Sequence, residues 1–96
     1  MQRLASATDV VYVHVDMDVL DTNEVPGHPT AVTGGPSSDE LTVGLAEIVA
    51  NEKVLALGIA STPANKRDET GVARRAAHRL IVAAARAVVE RCPATA

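Results

Sequence analysis

The run VYVHVDMDVLD, residues 11 to 21, constrains the fold most tightly. Its first half is rich in β-branched residues and largely apolar on both alternating faces. That is the pattern of a parallel strand covered on two sides, and it predicts a strand over residues 9–15. The run then turns acidic at Asp16, Asp18 and Asp21. Side chains on a strand repeat every two residues, so Asp16 and Asp18 are expected on one face, roughly 6–7 Å apart, with His14 beside them. Two carboxylates so placed repel each other and lose hydration. A hard divalent cation would relieve both costs. The alternative is a solvated pair of strand-end acids.

The strand gives way to a long irregular stretch. Residues 22–37, TNEVPGHPTAVTGGPS, hold three of the five prolines and three of the six glycines, a density no regular element survives. Ligands in open α/β sheets sit beyond the carboxyl ends of strands, where this loop begins. Ser37 and Glu40 form an S-x-x-E capping box that predicts a helix start. Leu41, Leu45, Ile48 and Val49 share one helical face, and the helix is expected to end near Asn51. VLALGIA, residues 54–60, predicts a second buried strand, and residues 61–68 a second loop. The last helix is expected from about Glu69 to Arg91. Val72, Ala76, Leu80, Ala84 and Val88 make one apolar row on it, and Ala73, Ala77, Ile81, Ala85 and Val89 the next. Arg75, Arg79, Arg86 and Glu90 fall on the opposite side and read as a solvated face. The order β-α-β-α implies parallel strands.

Two strands make a poor sheet, because parallel strands want both faces buried. The chain therefore reads as one partial domain, residues 1–96: a piece of a larger α/β sheet, or a protomer that needs a partner. With 47% hydrophobic residues and a single aromatic, Tyr12, its core must be built from Val, Leu, Ile and Ala. A net charge of −3 argues against a nucleic-acid binder. No apolar run approaches the ~20 residues of a membrane span, and residues 1–10 lack the apolar stretch of a signal peptide. The lone cysteine, Cys92, excludes an internal disulfide. A reduced, cytoplasmic setting is the expectation.

The acidic strand and its loop resemble the C-terminal part of the arginase-type ureohydrolases, a family that includes agmatinases and formimidoylglutamases. That family carries D-x-D-x-x-D at a strand end, then P-G, six residues, and G-G-x-[ST]. Here these are Asp16-Met17-Asp18-Val19-Leu20-Asp21, Pro26-Gly27, six residues, and Gly34-Gly35-Pro36-Ser37. A proline after the next strand, an acid, T-G and an A-R pair complete the pattern as Pro63, Asp68, Thr70-Gly71 and Ala73-Arg74. The ordered set spans residues 10–91 and is far more specific than a lone D-x-D-x-x-D.

The resemblance implies a three-layer α/β/α fold and an enzyme in which two Mn²⁺ ions activate water for attack on a guanidino-type carbon. Asp16 matches the carboxylate that bridges both ions, and Asp18 a ligand of one. Asp21 matches an acid that braces the loop, and His14 is a candidate donor behind Asp16. The substrate would be a guanidino, amidino or formimino compound. Some of the family's pattern is not found in this sequence. An earlier histidine and a D-x-H-x-D segment, which supply the other metal ligands, do not occur. The family's E-x-N-P, whose glutamate reads substrate, is replaced by Ala60-Ser61-Thr62-Pro63, and Thr22 stands where a proline usually follows the third acid. The expectation is a hydrolase part that is inactive alone and is completed by an N-terminal segment or another copy of the chain. The alternative is a vestigial, non-catalytic fragment that persists through partner contacts. Clustered strand-end acids also hold Mg²⁺ in phosphoryl-transfer domains, a reading that the Pro-Gly and Gly-Gly loop does not support.

Three further features have their own readings. His28 could touch substrate or be a simple loop residue. Gly34-Gly35 is expected to supply positive φ for a tight turn, and no G-K-[ST] follows to make a phosphate loop. Cys92 has no base placed with it and is not expected to be a nucleophile.

Overall fold

The computed structural model describes residues 1–92. It contains helix α1 (Gln2–Ala7), strand β1 (Val11–Asp16), helix α2 (Ser38–Val49), strand β2 (Val54–Ala60) and helix α3 (Val72–Arg91). One-turn 3₁₀ segments at Met17–Val19 and Asn65–Asp68 follow the two strands. The strands pair in parallel, from Val11 opposite Val54 to Asp16 opposite Ala60. The β-α-β-α order is the one expected.

Burial explains how the layers stack. Val11 and Val15 are buried beneath Leu45 and Val49 of α2 and the small-residue stripe Ala73, Ala76, Ala77, Leu80, Ala84 and Ala87 of α3. Alanines let the helix approach closely, and Leu80 fills the space between them at 0% exposure. The other face of the sheet carries Tyr12 and His14, both exposed, across from Ala56 and Gly58. Coverage of both faces of β1 is therefore not met among the described residues, because both long helices lie on one side. The same geometry splits the second apolar row of α3. Ala73 and Ala77 are buried, whereas Ile81 and Val89 are exposed, and Ile81 flanks the free edge of β2 beside Leu55.

Element ends follow from capping. The Ser37–Glu40 box forms in both directions: Glu40 N–H donates to Ser37 Oγ at 3.1 Å, and Ser37 N–H to Glu40 Oε1 at 3.1 Å. At the far end of α2, Arg91 Nη1 donates to the carbonyls of Val49 (2.9 Å) and Asn51 (2.6 Å). Helix α3 begins at Val72 rather than near Glu69. Gly71 takes φ +74, a left-handed conformation that a right-handed helix cannot pass through. Asp68 caps the start from outside, accepting from Ala73 N–H at 2.9 Å and Arg74 N–H at 3.0 Å.

Two features lay outside the pattern in the sequence. Helix α1 is six residues long, too short for an apolar period to show. Lys53 Nζ pins it by donating to the carbonyls of Ala5 and Thr8. Arg79 is not merely a solvated arginine. It donates to Ser38 Oγ at 2.8 Å and lies 3.7 Å from Glu24, whose carboxylate also accepts from Ser38 N–H at 2.7 Å. This triad joins the long loop, the start of α2 and the middle of α3.

Truncating Leu80 to Ala should cost about 2–5 kcal/mol of stability, as for other core leucines. Ile81→Ala, one position along the helix but 52% exposed, should cost less than half as much. Urea unfolding of the two variants, read by circular dichroism, tests the one-sided burial of α3.

Candidate metal centre

Through residues 16–21 the chain alternates between core and surface. Met17 and Leu20 are fully buried, while Asp16, Asp18 and Asp21 are all only partly covered. The apolar side chains anchor the segment and leave the acids pointing outward. Strand β1 stops at Asp16, however, and Asp18 lies in the 3₁₀ turn. The expectation that strand alternation brings Asp16 and Asp18 together is therefore corrected. A turn does it instead, because Asp16 Oδ1 accepts from Asp18 N–H at 3.2 Å and folds the chain back over the first carboxylate.

One donor atom each from Asp16, Asp18 and His28 lie within 4.8 Å of one another. The imidazole comes from the long loop. Thr30 Oγ1 donates to Asp18 Oδ2 at 2.9 Å and lies 3.0 Å from His28 Nδ1, so one hydroxyl links the loop histidine to the second acid. His14 lines a groove of about 540 Å³ with Asp16 and Asp18, between β1 and α2. Its Nδ1 is 3.5 Å from Tyr12 Oη, at the limit of a hydrogen bond, and it is not one of the three clustered donors.

Asp21 points into the loop. It accepts from Asn23 N–H at 2.9 Å and from Gly34 N–H at 2.8 Å. These bonds favour the charged carboxylate and hold its pKa below the ordinary aspartate value of 3.8. The two glycines beneath it have different tasks. Gly34 takes φ +91, as expected of a tight turn. Gly35 does not, but a Cβ there would lie 2.8 Å from Val19 O and 2.9 Å from Asp21 N, so only a hydrogen fits. The Asp16 pKa is also lowered. The Asp18 N–H bond contributes most, partial burial opposes it, and Ser61 and the charge of His28 add smaller pulls.

The loop after β2 approaches from the other side. Ser61, next to Asp16 across the strand pair, takes φ +63, and Asn65 takes φ +54. Left-handed backbone at non-glycine residues concentrates near functional sites. Ala60 stands directly opposite Asp16. A Cβ on Gly27 would lie 1.8 Å from Arg67 O, so the two loops touch backbone to backbone just before His28.

Two carboxylates and an imidazole suit Mn²⁺ or a similar divalent ion. Three donors can hold one such ion, with its remaining positions open to other ligands.

A profile of the Arginase family matches residues 1–87, and the chain belongs to that family. It is similar to the formimidoylglutamase of Halalkalibacterium halodurans, with 34% identity over 76 residues, which is 79% of this chain and 24% of the relative. The Bacillus subtilis formimidoylglutamase is likewise 34% identical over 74 residues, 77% of this chain and 23% of the relative. The crystal structure of the formimidoylglutamase from Bacillus subtilis subsp. subtilis str. 168 superposes with a TM-score of 0.85 at 28% identity, covering 96% of this chain and 28% of that one. The chain thus spans about a quarter of the length of the curated relatives it matches. Among the described residues no helix is long and apolar enough to cross a membrane.

Two outcomes are expected for the loop. Because the folded pKa of Asp21 is depressed, its contribution to stability is complete well above pH 3.8 and is lost as pH falls through the lower folded value. Asp21→Asn should therefore flatten the acid limb of a stability–pH profile measured by denaturant titration. Gly27→Ala forces backbone apart and should cost about 1–3 kcal/mol. It should also speed protease cleavage within residues 22–37, read by mass spectrometry.

Proposed function

We propose that this chain supplies part of the metal-binding half of a manganese-dependent C–N hydrolase acting on a formimino, amidino or guanidino compound. Membership of the Arginase family supports the reading. The observation that carries it is the turn at the carboxyl end of β1, which brings the Asp16 and Asp18 carboxylates together facing outward. The similarity to formimidoylglutamases favours a formimino substrate within this class.

In this reading Asp16 and Asp18 bind cation, and the Asp18 N–H bond that lowers the Asp16 pKa favours its ionised, ligating form. When bound, Mn²⁺ supplies the Lewis acidity that acidifies water and polarises the substrate carbon. Asp21 holds loop 22–37 against β1 through its bonds to Asn23 and Gly34. A second ion and a substrate-reading carboxylate require donors from elsewhere, since Ala60 offers none. We therefore propose that the chain is inactive alone in a cytoplasmic setting. It would work with an N-terminal arginase-type segment, or in an oligomer, that covers the open sheet face at Tyr12 and the apolar edge at Leu55.

Ala60 also motivates a second reading, a non-catalytic fragment kept for its partner contacts. The two separate by complementation. The part of the Bacillus subtilis formimidoylglutamase that this chain does not match is mixed with the chain and Mn²⁺, and product release from a formimino compound is followed. The catalytic reading expects release that requires both polypeptides and falls at least about 100-fold with Asp16→Asn and Asp18→Asn together. Association without any release favours the non-catalytic fragment. Release by the double variant equal to wild type sinks the metal role of the acids.

A further inference from the structure

We infer that His28 is a third metal ligand, which gives this chain a one-ion site independent of any other polypeptide. The inference rests on the proposal that Asp16 and Asp18 bind a cation, and extends it to a residue outside the family's motif. The sequence directs attention to His14, which alternates with Asp16 on the strand. In the folded chain it is the loop histidine, His28 and not His14, that clusters with the two acids. His28 is half-buried, and its approach is built rather than incidental. Gly27, the residue before it, is packed so tightly on Arg67 O that no side chain fits, which fixes where the loop crosses the site.

Thr30 sets the ring. Its N–H donates to His28 Nδ1 at 3.2 Å, and its hydroxyl, 3.0 Å from the same nitrogen, donates to Asp18 Oδ2. Binding a cation through Nε2 requires the ring proton to move to Nδ1, where the Thr30 hydroxyl oxygen can accept it. A metal-bound histidine is commonly oriented through its other nitrogen in this way. The chemistry of the set follows from its composition. Two carboxylates alone bind Mg²⁺ and Mn²⁺ with little preference, whereas an added imidazole favours the transition metal.

Calorimetric titration of the 96-residue chain with Mn²⁺ and separately with Mg²⁺ tests this. Wild type should bind one Mn²⁺, and more tightly than Mg²⁺. His28→Ala should weaken Mn²⁺ binding at least about tenfold while changing Mg²⁺ binding much less, so the preference collapses. His28→Asp, which supplies a ligand atom of a harder type, should recover much of the Mn²⁺ binding and tighten Mg²⁺ binding above wild type. Circular dichroism confirms that each variant is folded. An unchanged Mn²⁺ to Mg²⁺ ratio in His28→Ala overturns the His28 assignment, and so does a wild-type chain that binds no Mn²⁺. Asp16→Asn with Asp18→Asn separates this failure from that of the underlying proposal. If those substitutions abolish binding while His28→Ala does not, only the histidine role is lost. If they leave binding intact, the metal role of the acids fails as well.

Discussion

Everything at the carboxyl end of β1 depends on the burial of Met17 and Leu20. Their side chains occupy the core beneath α2 and α3, and the acids beside them, Asp16, Asp18 and Asp21, are left facing outward. The short segment cannot relax its crowding of acids by rotating, because rotation would expose two large apolar groups, each about 1.5–3 kcal/mol. Electrostatic repulsion is thus held in place by hydrophobic packing. Backbone N–H groups soften it, one from Asp18 to Asp16 and two to Asp21.

The second level of organisation is carried by loops rather than by the sheet. A two-stranded sheet gives little rigidity. Loop 22–37 is instead tied down at several points: Asp21 N–H to Pro36 O, Thr22 N–H to Val32 O, and Glu24 to Ser38. Arg79 brings α3 into the last of these. The loop is therefore as much a part of the scaffold as the helices, and this is how a stretch rich in proline and glycine can place a histidine.

The sequence made some of this legible and hid the rest for physical reasons. The parallel order, the capping box at Ser37 and the irregularity of residues 22–37 could be read because each depends on local chemistry. So could the ordered motif set that led to the family. The start of α3 is hidden in the sequence, because Gly71 looks like any glycine until its left-handed φ is seen. The turn at Asp18 is hidden too, because D-x-D fits a two-residue strand period as well as it fits a turn. His28 was open to two readings because its proximity to Asp16 depends on a loop returning over a dozen residues, which no periodicity encodes. The exposure of Ile81 and Val89 was hidden too: an apolar row says that a face can be buried, not what is present to bury it.

The contact between Gly27 and Arg67 makes the two loops a single mechanical unit. One loop arrives after the first strand and the other after the second, yet their backbones bear on each other with no side chain between them. A change of conformation in residues 65–68 would be transmitted to His28 as a displacement, without touching Asp16 or Asp18. Divergence in the second loop, which begins just after Ala60, could therefore retune the first loop remotely. Homologues that differ only there need not place the residue at position 28 alike.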